Sequence, residues 1–333
     1  MISGDLSHLN LVGASAEFRR AVELIRRFAA STATVLIQGE TGTGKELAAR
    51  AIHYLSDRQS GPFVPINCGA LPETLVESEL FGHARGAFTD AREARAGQIG
   101  QAGGGPLFLD EIEAMSPRAQ IVLLRFLQDK RYRPVGGACT ETADVRIVGA
   151  TNADLKAMVK EGRFRSDLLF RLNVLPVTLP PLRARASDVL LLAHCFLERL
   201  NRLGGAPPVA LEESAQALLL AYPWPGNVRE LENFIQRQFL LSAGRQTLDV
   251  QPADLGLPPE TVVAPTVSDT LAEPFKVAKA RAIARFERAY IEDLLARTCG
   301  NISEASRLSG KDRSDIGKLL RKHGIGRQRF TEA

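Results

Sequence analysis

The chain has 333 residues, of which 45% are hydrophobic and 24% charged, with a formal net charge of +4. This length holds two or three domains and a sizeable core, and the composition is that of an ordinary globular protein rather than a disordered or fibrous one. No apolar run reaches the ~20 residues of a membrane span, and the N-terminus Met1-Ile2-Ser3-Gly4-Asp5 lacks the basic and apolar regions of a signal peptide, so neither feature is expected.

Four scattered cysteines, Cys68, Cys139, Cys195 and Cys299, have no metal-ligand spacing and read as free thiols in a reducing cytoplasm. Charge is uneven. From Lys276 onward there are 14 Lys/Arg against 7 Asp/Glu, a balance of +7, and the remaining 28 Lys/Arg against 31 Asp/Glu leave −3. A near-neutral body with a basic tail suggests a polyanion as partner for the tail.

In chain order, apolar residues at 18, 21/22, 25 and 28 predict a helix over 16–30. Val35-Leu36-Ile37 then reads as a buried parallel strand. It runs into Gly39-Glu40-Thr41-Gly42-Thr43-Gly44-Lys45-Glu46, a phosphate-binding loop of the form G-x-x-x-x-G-K. The glycines let the backbone curl so that its N–H groups face an anion. Lys45 adds a point charge for the β- and γ-phosphates, and the helix beginning near Glu46 adds its positive end. Glu46 stands where the general motif has a magnesium-binding Ser or Thr.

A helix through Leu47, Ala48, Ile52 and Leu55 follows, then a short strand at 63–67 and a helix over 75–81. Leu107-Phe108-Leu109-Asp110-Glu111 is a buried strand ending in two acids. At the carboxyl edge of a doubly wound sheet these share a crevice with the phosphate loop. There Asp110 can hold Mg²⁺ through water, and Glu111 can polarise an attacking water. A helix over 119–127 and a strand over 144–150 come next, ending at Thr151-Asn152, which can orient that water or sense the γ-phosphate; a last strand covers 175–179. Strands alternating with helices predict a parallel sheet with helices on both faces.

Between these strands lie Arg165 and Arg171. An arginine reaching a neighbouring subunit's γ-phosphate stabilises transition-state charge. Six residues apart on one helix, the two would point about 120° from each other. From Asp188 to about Ala243 the reading is helical throughout, and Arg229 opens a helix there after Trp224-Pro225-Gly226-Asn227. Residues 249–275 carry five prolines with little periodicity and read as linker. Helices return over 282–297, 303–309 and 313–323, with Asn301 and Glu304 as a capping signal, Gly310 in the turn, and Asp312 with Asp315 able to cap the last helix. Short helix, turn, basic helix is the arrangement in which the second helix enters the major groove of DNA. Its exposed candidates are Arg313, Ser314, Lys318, Arg321 and Lys322.

The ordered set Gly39–Glu46, Glu79-Leu80-Phe81-Gly82-His83, Gly86-Ala87-Phe88-Thr89-Asp90-Ala91, Leu107–Glu111, Phe164-Arg165-Ser166-Asp167-Leu168 and Trp224-Pro225-Gly226-Asn227-Val228-Arg229-Glu230-Leu231 resembles the AAA+ domain of bacterial enhancer-binding proteins, the activators of sigma-54 RNA polymerase. The resemblance runs from about Leu11 to Ala243, and the closing segment resembles a Fis-type helix-turn-helix. It implies an α/β AAA+ P-loop NTPase fold with a parallel sheet (1–180) and a helical lid (181–246), a linker (247–276) and an all-α DNA-binding domain (277–333). It also implies ATP and Mg²⁺ as cofactors, and a hexameric ring that hydrolyses ATP between subunits in the cytoplasm.

Residue by residue, the resemblance assigns phosphate contacts to Lys45 and its loop, with Glu46 matching the family. Magnesium and water fall to Asp110 and Glu111. Asn67 is a switch partner restraining Glu111, Thr151 and Asn152 form a first sensor, Arg165 and Arg171 act in trans, and Arg229 is a second sensor. The loop Gly86–Ala91 is the sigma-54 contact, with Phe88 an exposed aromatic between small residues that has no fold-level reason to exist. Asp90 stands where the family has Gly; Asp tolerates left-handed backbone and adds a negative charge there. About ten residues precede the motor domain, whereas a receiver or sensing domain needs roughly 100. For a complete chain the expectation is control by a separate protein or by expression level; for an excised piece, that the control domain has been removed. Two rival functions use the same residues: a DNA-binding regulator that acts without sigma-54, and a AAA+ remodeller of another target whose tail only dimerises.

Overall fold

The computed structural model describes residues 10–72, 75–88, 91–204, 208–242, 246–248, 250–257 and 301–323, with Ile283, Glu287, Tyr290, Ile291, Leu294, Leu295 and Thr298. The chain forms two compact units, Met1–Leu257 and Pro258–Ala333. Thr89, Asp90, Cys299, most of the expected linker and the side chain of Arg321 lie outside the described residues.

The first unit is built on five parallel strands: β1 (Val35–Gln38), β2 (Val64–Asn67), β3 (Pro106–Asp110), β4 (Arg146–Thr151) and β5 (Leu175–Thr178), in the order β2-β3-β4-β1-β5. Alternation of side chains across each strand splits the core in two. Val35, Ile37, Phe108, Val148 and Val177 face one layer, where α1 (Ala16–Ala29) supplies Ala21 and Ile25, and α2 (Lys45–Tyr54) supplies Ala48, Ala49 and Ile52. Leu36, Leu107, Leu109 and Ile147 face the other. There they meet Leu80 of α3 (Val76–Phe81), Leu123 and Phe126 of α4 (Pro117–Asp129) and Leu168 of α6 (Ser166–Leu172); Leu155 of α5 (Leu155–Lys160) closes the layer. Strands buried on both faces must be apolar throughout, which is why these runs read as continuous in the sequence.

Strand register fixes where the chemistry sits. Gln38 pairs with Thr151 and with Thr178, Asn67 pairs with Asp110, and Leu109 pairs with Gly149. The carboxyl ends of all five strands therefore share one edge, with β4 between β3 and β1. The loops that follow β1, β3 and β4 open into a single crevice, as expected for an open α/β sheet.

The lid packs α7 (Ser187–Gly204), α8 (Glu213–Ala221) and α9 (Asn227–Leu241) around Leu192, Leu218, Trp224, Leu231 and Ile235. Trp224 is fully buried and donates its indole N–H to the Leu219 carbonyl at 2.8 Å. Two sequence expectations change here. The lid is not purely helical, because Ala210–Leu211 pairs in parallel with Thr247–Leu248. The linker does not begin at 247 either: Leu248, Val250 and Leu255 are buried in the lid core. Their apolar character outweighs the neighbouring prolines. A buried carboxylate, Asp188, ties the lid to the start of α1 by accepting from the N–H groups of Ala14 and Ser15 and from the Ser15 hydroxyl. With three donors on it, that charge is satisfied in the core.

In the second unit, α10 (Ile302–Ser309) and α11 (Arg313–His323) enclose Ala305, Ile316 and Leu320 with Ile291, Leu294 and Leu295. Asn301 caps α10, accepting from the N–H groups of Ser303 and Glu304, and Gly310 makes the turn at φ 63°. Asp315 lies in the first turn of α11. Its carboxylate pairs with Lys318 at 3.0 Å, one turn along the same helix face. Among the described residues no helix is long and apolar enough to cross a membrane.

Candidate nucleotide site and flanking surfaces

The loop from Gly39 to Gly44 leaves β1 and turns directly into α2. Gly42 and Gly44 take φ of 80° and 100°, a region costly to any residue with a Cβ. Thr43 is buried and folds its hydroxyl onto the Glu40 carbonyl at 2.7 Å, which holds the turn from within. Lys45 extends back along the loop and donates to the carbonyls of Gly39 (2.8 Å) and Glu40 (3.2 Å). Burial lowers its ammonium pKa, opposed first by Asp110 and then by Glu113 and Glu111.

Opposite the loop, Asp110 accepts from the Glu111 N–H at 3.0 Å. Burial raises its carboxyl pKa, while that hydrogen bond and Lys45 oppose the rise. Glu111 is held at φ 52°, a left-handed conformation rare for a non-glycine residue, where strained backbone often marks a working position. Asn152 donates its side-chain amide to the Thr41 hydroxyl at 3.0 Å, and Arg229, in the first turn of α9, donates its backbone N–H to the Gly42 carbonyl at 3.3 Å. Thr41, Lys45, Glu46, Asp110, Glu111, Asn152 and Arg229 line one cavity of about 230 Å³.

Other expected site residues fall elsewhere. Thr151 does not face the cavity: it is fully buried, and its hydroxyl accepts from the Ala153 N–H at 3.1 Å, closing a local turn. Asn67 makes no hydrogen bond to Glu111. Its carbonyl oxygen accepts from the N–H groups of Gly69 and Ala70, at 2.9 and 3.2 Å. The two still border one gap, since a Cβ on Gly69 would lie 3.3 Å from Asn67 Oδ1 and 3.4 Å from Glu111 Oε2. Glu46 does line the cavity, but it is exposed and pairs with Arg50 at 2.7 Å.

The helical separation expected for the two arginines does not apply. Arg165 precedes α6 as its cap residue in extended backbone, whereas Arg171 is in its last turn. Arg165 pairs with Asp167 at 2.8 Å and is exposed, and the cavity of its own chain includes neither arginine.

Glu113 went unnoticed in the sequence. It accepts from the Asn152 N–H at 3.3 Å, and its other carboxylate oxygen is buried with no hydrogen-bond partner. Three acids within four residues was the available signal. Among the described residues no group of three or more His, Cys, Asp or Glu is placed to enclose a metal ion. Asp110, on the cavity wall beside the phosphate loop, is the residue that could hold a cation through water.

The Gly86 N–H donates to the Ala91 carbonyl, and the Ala91 N–H donates to that of Phe88. Phe88 is partly supported by the fold: its ring lies 4.9 Å from that of His83, which hydrogen-bonds Ser78. In the second unit Arg313, Ser314, Lys318 and Lys322 are exposed. Lys318 spends its charge on Asp315, and Lys322 on Glu287 at 2.6 Å.

A phosphate loop feeding a parallel sheet, acids on the neighbouring strand end and a helical lid contributing an arginine define a AAA+ nucleotide-binding fold. The chain belongs to the sigma-54 interaction-domain family of these ATPases. Residues 11–178 match the sigma-54 interaction domain, and residues 183–260 match a AAA+ ATPase lid domain. It is 41% identical over 328 residues to the phenol regulator MopR of Acinetobacter guillouiae, covering 97% of this chain and 58% of that protein. It is 46% identical over 295 residues to the Nif-specific regulatory protein of Azotobacter vinelandii, covering 87% and 56%. The crystal structure of NtrX from Brucella abortus in complex with ADP matches with a TM-score of 0.67 and 34% identity, over 95% of this chain and 69% of that one. The chain thus spans less than two thirds of the length of these two curated relatives.

Proposed function

We propose that the protein is an ATP-hydrolysing, sigma-54-dependent transcription activator of the cytoplasm. The convergence of Lys45, Asp110, Glu111, Asn152 and Arg229 on one cavity beside the phosphate loop carries this reading. Lys45 and the loop N–H groups bind the β- and γ-phosphates of ATP. Asp110 would hold Mg²⁺ through water, and the metal would supply neutralisation of phosphate charge. Glu111 polarises the water that attacks the γ-phosphorus as the bond to ADP breaks, Asn152 orients that water, and Arg229 reports the nucleotide to the lid. Arg165 and Arg171 lie off their own cavity and act on the neighbour's in a hexameric ring.

The segment Gly86–Ala91, through Phe88, engages sigma-54 in the closed polymerase complex. The basic tail, through Arg313, Ser314, Lys318, Arg321 and Lys322, binds double-stranded upstream DNA. The test is open-complex formation on a sigma-54 promoter with ATP. If the protein hydrolyses ATP and never opens the promoter, the activator reading fails and remodelling of another target replaces it.

A further inference from the structure

The phosphate loop is held from the lid as well as from the sheet. Glu40 receives the guanidinium of Arg183 in a two-point ion pair, one arm at 2.7 Å, and the side-chain amide of Asn227 at 3.2 Å. Asn227 is fully buried at φ 55°, a left-handed conformation for which Asn has an unusual tolerance. It uses both ends of its side chain: Nδ2 also donates to the Thr41 carbonyl at 3.0 Å, and Oδ1 accepts from the Leu182 N–H at 2.8 Å. The next two residues, Val228 and Arg229, both point their N–H groups at the Gly42 carbonyl. A Cβ on Gly42 would come within 2.2 Å of the Gly226 carbonyl oxygen, so loop and lid backbones are in direct contact.

We propose that Glu40, Arg183 and Asn227 form a clamp that fixes the lid to the phosphate loop and thereby sets the position of Arg229 over the nucleotide. Bidentate arginine–carboxylate pairs carry orientation as well as energy; here the fork fixes Glu40 against Arg183, and Asn227, at the start of α9 two residues before Arg229, bonds both Glu40 and the Leu182 N–H beside that arginine. The clamp makes these three positioning residues. The Glu40 carboxylate is not a phosphate ligand, since it would repel the phosphates and both its oxygens are directed at the lid. The proposal rests on the reading of this cavity as a nucleotide site.

The test uses the full chain as wild type, Glu40→Gln, Arg183→Lys, Arg229→Ala and the Glu40→Gln/Arg229→Ala pair, with circular dichroism as the folding control. Fluorescent ADP titrations and steady-state ATP turnover are measured. Glu40→Gln and Arg183→Lys are each expected to raise the ADP dissociation constant and the ATP KM about tenfold, a ratio large enough to resolve a coupling. In the Arg229→Ala background, Glu40→Gln is expected to add less than about twofold, because the clamp acts through Arg229. If wild type binds ADP while Glu40→Gln and Arg183→Lys do so equally well, the clamp is overturned and the nucleotide reading stands. Full additivity with Arg229→Ala overturns it too, leaving Glu40 a local loop residue. Wild type that binds no ADP overturns the nucleotide reading itself, and the clamp with it. Should Glu40→Gln fail to fold, Arg183→Lys, at an exposed position, carries the comparison.

Discussion

Asn152 and Thr41 join the end of β4 to the phosphate loop through one hydrogen bond of 3.0 Å, from the side-chain amide to the hydroxyl. Glu113 holds the same asparagine from behind through its backbone N–H. Asn152 is therefore fixed on two sides while lining the cavity. Replacing it with Ala removes a preorganised donor and is expected to lower kcat for ATP by roughly 100-fold with little change in ADP affinity. Glu113→Ala leaves the amide in place but loosens it, so a smaller fall in kcat is expected. Steady-state turnover beside fluorescent ADP binding separates the two terms; a loss confined to binding would remove Asn152 from the sensor role.

The clamp on Glu40 predicts a defined pH response. Hydrogen bonds from Arg183 and then Asn227 hold the Glu40 carboxyl down to about 2, from an ordinary value of 4.5. A group depressed in the folded state contributes stability that is complete above its unfolded value and is lost as pH falls toward the folded one. The melting-temperature difference between wild type and Glu40→Gln is thus expected to stay constant above about pH 4.5 and to close as pH falls toward 2. Calorimetry across that range checks it. A difference that grew on acidification would have the wrong sign.

Two loop glycines separate backbone strain from steric contact. Gly44 has φ 100° and open space where a Cβ would go, whereas Gly42 has φ 80° and the Gly226 carbonyl 2.2 Å away. Gly44→Ala is expected to cost only the ~1–2 kcal/mol of a left-handed alanine. Gly42→Ala adds a collision with the lid and should cost clearly more, measured as the shift in chemical denaturation without nucleotide. Equal costs would mean that the lid yields freely at this contact.

Phe88 sits on His83 at the surface, away from the nucleotide cavity. Phe88→Ala is expected to keep ATP turnover near wild type and to lose ~2 kcal/mol or more of sigma-54 binding, as truncating an aromatic anchor does. Binding of a sigma-54 polymerase complex with and without ATP reads the effect. Turnover falling in parallel with binding would place Phe88 in the motor itself.

Much of this was legible in the sequence because its causes are local. Val35–Ile37 and Leu107–Leu109 are apolar throughout since both sheet faces are covered, and Gly42 and Gly44 mark positive φ. What stayed hidden depends on side-chain direction. Thr151 and Asn152 are neighbours at a strand end, so only one can face the cavity, and pairing in the sheet decided which. Glu40 reads as one more loop residue until Arg183, 143 positions later, is brought against it. Leu248 and Leu255 were lost among prolines because burial in the lid is a tertiary fact.

The two kinds of cation on α11 predict unequal contributions to DNA binding. Lys318 is paired with Asp315 and Lys322 with Glu287, while Arg313 is exposed and makes no ion pair among the described residues. A cation already paired must break that contact, and leave a carboxylate facing DNA, before it can neutralise a phosphate. Arg313→Ala is therefore expected to weaken binding of the full chain to upstream DNA more than Lys318→Ala. It should also flatten the slope of log affinity against log salt by about 0.9, the value of one phosphate contact on duplex DNA. Asp315→Ala frees Lys318 and is expected to strengthen binding. Affinity titrations at several salt concentrations decide it: if none of the three substitutions moves affinity or slope, α11 is not the DNA-binding face and the basic tail serves another contact.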